Sequence, residues 1–126
     1  MNIVDANLIL RYLLQDAAQF LDQAKEKIEN YNIFIPNEVI AEVVYVLEKV
    51  YKVERVHIFD SLQNLLFYGN ISTHDRNILI EALKVYSEIK IDFVDSLLFA
   101  YSKIGGHTVF TFDKKLNQML NELRNV

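Results

Sequence analysis

The sequence predicts an α/β protein in which a central parallel sheet is covered on both faces by helices, a three-layer α/β/α arrangement. Three observations carry this. Short β-branched or aromatic runs alternate with longer stretches whose apolar residues recur at helical period. The segments joining successive strand candidates are too long for hairpins, which leaves parallel crossovers. The 126 residues, 52% hydrophobic and 24% charged with one Pro and three Gly, suit one helix-rich domain spanning 1–126, without linker or repeat.

Taken in order, "NIVD" at residues 2–5 is the first strand, closed by an acid. "NLILRYLLQ" from Asn7 and "DAAQFLDQAKEKIENY" from Asp16 have helical period. "IFIP" at 33–36 is a second strand ended by proline, and "NEVIAEVVYVLEKVYK" at 37–52 is a helix with Asn37 as its expected N-cap. "ERVHIFDSLQNLLFY" runs up to Gly69, "NIST" is a short extended segment, and "DRNILIEALKVYSEI" is the next helix. "DFVDSLLFAYSKI" stops at Gly105-Gly106, a pair that terminates helices well. "TVFTF" at 108–112 reads as a further strand, and "DKKLNQMLNELR" closes the chain as a helix.

Composition removes several functions. Zero cysteines exclude disulfides, thiol nucleophiles and thiolate metal sites, and fit a reducing, cytoplasmic setting. No basic leader precedes the first apolar run, and every apolar run meets a charge well before 18 residues, so no membrane partner is expected. A net charge of −4 lacks the basic footprint of a sequence-independent DNA binder. It leaves room for an enzyme that holds nucleic acid through divalent ions and a few local cations. No Gly-rich phosphate loop is present, which disfavours dinucleotide-binding folds and P-loop ATPases.

Ligands of open parallel sheets sit beyond the carboxyl ends of the strands, and the acids gather there. Asp5 ends the first strand candidate and Asp113 the last; Glu42 lies early in the helix after the second; Asp92 and Asp95 share the first turn of the "DFVD" helix. Each has a plainer explanation. Asp5 and Asp113 would serve as N-caps, Glu42 as part of a solvated helix face, and Asp92 with Asp95 as a capping-box-like pair favoured by the helix dipole. Yet two carboxylates about 4 Å apart repel by roughly 4 kcal/mol at an effective dielectric near 20. A hard cation such as Mg²⁺ or Mn²⁺ would relieve that crowding, and it prefers carboxylate and water oxygens.

"IVDANLILRYLLQD", "IPNEVIAEVVYVLEKVY", "IDFVDSLLFA" and "VFTFDKKL" resemble, in order and spacing across essentially the whole chain, the acidic motifs of PIN-domain ribonucleases, specifically the VapC-type toxins of toxin–antitoxin pairs. The resemblance implies a PIN-like fold and a metal-dependent endoribonuclease using Mg²⁺ or Mn²⁺. It matches Asp5, Glu42, Asp95 and Asp113 to the catalytic, metal-binding acids, with Asp92 as a nearby supporting acid. Asn7 and Thr111 match positions where the family places polar residues beside the quartet, although an N-cap and a strand hydroxyl would explain them equally. A homodimer and a cognate antitoxin whose tail occupies the acidic groove are implied in the same way.

Arg11, Lys49, Lys52, Lys114 and Lys115 are the cations closest in sequence to these motifs and are the candidate RNA-phosphate contacts. His57, His74 and His107 have no ligand-pair spacing and read as structural or surface residues. Tyr12, Tyr45 and Tyr51 read as core or interface aromatics. The rival readings are a PIN nuclease of RNA maturation and an inactive PIN binding module. A phosphoacceptor receiver domain fits less well because "VDAN" lacks an adjacent acidic pair, and a haloacid-dehalogenase-like phosphatase because "DAN" lacks the second acid of its motif.

Overall fold

The computed structural model describes residues 1–15 and 18–125, and the chain folds as two compact units, Met1–Arg76 and Asn77–Val126. The first unit contains the sheet. Strand β1 is Asn2–Ile3, followed by helices α1 (Ala6–Leu14) and α2 (Ala18–Asn30); β2 is Ile33–Phe34, followed by α3 (Asn37–Lys49) and α4 (Arg55–Leu66); β3 is Ile71–Ser72. The strands are parallel in the order β1-β2-β3, with Asn2 opposite Ile33, Ile3 opposite Phe34, Ile33 opposite Ile71 and Phe34 opposite Ser72. Each crossover is a helix pair, as parallel pairing of neighbouring strands requires. The α/β class with its parallel sheet is therefore what the sequence predicts.

Burial explains why these segments hold. Ile9 on α1, Ile28 on α2, Ile40, Val43 and Val44 on α3, and Ile58, Leu62 and Leu66 on α4 are buried at helical spacing. Ile33 and Ile35 on and beside β2 are buried with them. Asn70 clamps the end of α2, its amide nitrogen donating to the Ile28 and Tyr31 carbonyls, and Ile35 donates to the Ser72 carbonyl at 2.9 Å just past the ladder. The predicted helix start at Asp16 lies outside the described residues.

Helix α5 (Arg76–Glu88) leads into the second unit, where α6 (Phe93–Lys103) packs on α7 (Lys114–Arg124). Val85, Ile91, Phe99, Leu116, Met119 and Leu120 form its core, with Val109 packed against them. A Lys103–Glu81 ion pair at 3.1 Å ties α6 to α5. No helix among the described residues is long and apolar enough to cross a membrane.

Two local expectations are corrected. Residue 37 opens α3 from inside: the N-cap is Pro36, with φ −64° and ψ 155°, because proline's fixed φ suits the last extended position before a helix. The 108–112 segment forms no strand ladder among the described residues. Its alternating pattern still sorts the side chains, with Val109 packed inward while Phe110 and Phe112 stay exposed. The described part of its unit contains no strand to pair with, and Thr111 is engaged instead by local side-chain bonds.

Candidate active site

In the first unit the acids follow the carboxyl ends of neighbouring strands. Asp5, two residues beyond β1, is the N-cap of α1, and its Oδ1 accepts from the Leu8 amide at 2.9 Å. The capping explanation for Asp5 thus holds as local structure. It also fixes the rotamer of the carboxylate at the sheet edge. Glu42 lies in the second turn of α3, which packs against α1, and is exposed on a stripe with Glu38, Tyr45 and Lys49.

Beside Asp5 a cavity of about 220 Å³ opens between α1 and α2, walled by Asp5, Asn7 and Arg11 on one helix and by Phe20 and Gln23 on the other. Asn7 therefore sits next to Asp5 on an exposed wall, and Asp5 itself occupies the N-cap that Asn7 would otherwise supply. Arg11 Nη2 donates to the Tyr51 hydroxyl at 2.9 Å, which ties α1 to the segment after α3. Sequence reasoning singled out neither Phe20 nor Gln23: Phe20 falls one turn before the buried Ala24 on the stripe that continues to Ile28 and so reads as apolar packing, and Gln23 has no motif of its own.

In the second unit the acids cluster at two adjacent helix starts. Asp92 is the N-cap of α6, yet its side chain makes no cap bond, and Asp95 is in the first turn. The capping-box explanation therefore fails at its defining contact. The Asp92 carbonyl is held instead by Ser96, a fully buried residue whose hydroxyl donates to it at 3.2 Å and whose amide donates at 3.0 Å. Burial, then the charges of Asp113 and Asp92, push the Asp95 carboxyl above its ordinary range. Asp95 thus lies in the field of the carboxylates of Asp92 and, across the α6–α7 contact, of Asp113.

Asp113 caps α7, its Oδ1 accepting from the Leu116 amide at 2.8 Å. Its own amide donates to the Thr111 hydroxyl at 3.0 Å, and Asn117 Nδ2 donates to the Thr111 carbonyl at 2.7 Å. Thr111 thereby shapes the approach to Asp113 as an acceptor on both its hydroxyl and carbonyl. Asn117 was not legible in the sequence, since a half-buried polar residue in the second turn of a helix has no motif of its own.

The cations differ in freedom. Lys114 and Lys115 are exposed in the first turn of α7 beside Asp113, Lys52 is exposed with φ 57°, and Lys49 lies 4.0 Å from Glu48. The histidines do structural or surface work: His74 stacks edge-on against Phe34, His107 against Tyr101, and His57 is exposed.

Asp5 and Glu42 belong to the first unit, and Asp92, Asp95 and Asp113 to the second. Within either unit, no three described His, Asp or Glu side chains close up tightly enough to hold a metal ion by themselves. The side chains expected to hold an ion are nevertheless all carboxylates, the set that hard divalent cations select, and the repulsion at Asp95 is what such a cation would offset.

The profile of the PIN domain family matches residues 3–120. A curated "VapC ribonuclease" of Aquifex aeolicus is 29% identical over 126 aligned residues, covering 94% of this chain and 92% of the relative. No solved structure gives a significant match.

Proposed function

The chain belongs to the PIN-domain family, and from that premise we propose that it is a Mg²⁺- or Mn²⁺-dependent endoribonuclease, the toxin of a toxin–antitoxin pair. The observation that carries this reading is a near full-length likeness to a VapC ribonuclease, in a chain whose acids stand beyond the carboxyl ends of β1 and β2 and at the starts of α6 and α7. Asp5, Glu42, Asp95 and Asp113 would hold the ion. When bound, it supplies Lewis acidity toward the phosphodiester oxygens and a lowered pKa for the attacking water.

The chain's own groups do the rest. The cap bonds to Leu8 and Leu116 leave Asp5 and Asp113 pre-oriented, so little side-chain freedom is lost when they act as ligands. Asp95, whose proton affinity is raised, gains from a nearby cation that favours its ionised form. Asp92 adds negative charge beside it, while Asn7 and Thr111 support Asp5 and Asp113. Lys114 and Lys115, with Lys52, Lys49 and Arg11, supply the positive charge that a phosphate backbone requires in a chain of net charge −4. A homodimer, an antitoxin partner and a cytoplasmic location belong to the same proposal, supported by the likeness to the VapC relative.

The test is cleavage of structured RNAs by the purified, partner-free chain, with and without Mn²⁺ or Mg²⁺. Asp5→Asn and Asp95→Asn should each lower the metal-dependent rate about a hundredfold or more. Full activity in either variant would remove that residue from the site. Intact RNA under all conditions would favour a binding module without catalysis.

A further inference from the structure

We infer that Asn117, through its side-chain bond to the Thr111 carbonyl, is a positioning residue for Asp113; this rests on the reading of Asp113 as a metal ligand. The geometry forms a closed ring. Asn117 Nδ2 donates to the Thr111 carbonyl at 2.7 Å, the Thr111 hydroxyl accepts from the Asp113 amide at 3.0 Å, and the Asp113 carbonyl accepts from the Asn117 amide at 3.0 Å. The Asp113 carboxylate is tied into the same turn through Leu116, a fully buried residue of the α6–α7 core.

Each bond has a consequence for the next. Among the described residues the 108–112 segment has no strand ladder to fix its backbone, and Phe110 and Phe112 beside Thr111 are almost fully exposed. The course of the chain into Asp113 is therefore set by the packing of Val109 and, after it, by side-chain bonds at Thr111. Asn117 sits one helical turn beyond Asp113 on the rigid part of α7 and reaches back over the helix start. Holding the Thr111 carbonyl keeps the Thr111 hydroxyl under the Asp113 amide, and so keeps the carboxylate in one orientation. This is the kind of outer contact that orients a metal-binding carboxylate and typically governs affinity by ten- to a hundredfold.

Mn²⁺ binding to the full-length chain, measured by calorimetry without RNA, tests the inference. Asn117→Ala, which raises helix propensity, should bind Mn²⁺ about tenfold more weakly while remaining folded by circular dichroism; Asn117→Gln, which keeps an amide donor, should recover part of that loss. The Asp113 amide should also exchange with deuterium faster in Asn117→Ala than in the parent. A lowered unfolding midpoint with unchanged Mn²⁺ affinity, while Asp113→Asn loses affinity, would overturn the inference and leave Asp113 as a ligand. Parent-like binding by Asp113→Asn would instead bring down the reading on which it rests. Should Asn117→Ala fail to fold, the Gln variant carries the test, because altered exchange at Asp113 with unaltered affinity would refute a positioning role.

Discussion

Asp95 shows how a single side chain can separate two explanations. An acid whose proton affinity rises on folding favours the folded state while protonated, and that advantage is lost as pH climbs from its ordinary value near 3.8 through the higher folded one. Asp95→Asn cannot ionise. In metal-free buffer its melting temperature should therefore gain on the parent's across that window and be no lower than the parent's at neutral pH. Melting scans at several pH values check this, and a variant that melts lower at neutral pH would show that its place near the α6 dipole outweighs the crowding. The sequence exposed the crowding of Asp92 and Asp95 through their i, i+3 spacing. The contribution of Asp113 to the same field arises from the packing of α7 on α6, which no local spacing encodes.

At the scale of elements, the helix starts give the acids two separable roles. Asp5 and Asp113 accept real cap bonds, whereas Asp92 stands at the N-cap position without one. Replacing Asp5 or Asp113 by Ala should cost about 1 kcal/mol of stability, while Asn, an equally good cap, should cost only a few tenths. Urea unfolding of the four variants measures this difference. If the carboxylates also bind the ion, both Asn variants lose metal-dependent cleavage while keeping the parent's unfolding midpoint, a split that capping alone cannot produce. Helix positions were legible because each of these segments buries an apolar stripe of period 3.6. Strands were less so: the "NIST" segment pairs as β3, whereas "TVFTF" forms no ladder among the described residues. A strand needs a partner backbone, and its own residues do not carry that information.

For the whole molecule, the proposed ligands Asp5, Glu42, Asp95 and Asp113 tie metal binding to folding. Free Mn²⁺ at a hundred times its dissociation constant should stabilise the folded chain by about 2.7 kcal/mol, seen as a rise of several degrees in melting temperature. Replacing both acids of either unit, as Asp5→Asn with Glu42→Gln or Asp95→Asn with Asp113→Asn, should erase that rise; a rise that survives one double replacement would leave that unit without ligands. By itself the sequence determined the α/β class, the run of helices and the parallel crossovers, because these follow from periodicity and turn chemistry along the chain, and its motif order nominated the acids of the proposed site. The tertiary structure alone decided the strand order, the approach of Asp113 to Asp95, the cavity beside Asp5 and the Asn117 clamp on Thr111. Those features depend on which surfaces meet in space, a consequence of packing between segments that local sequence leaves open.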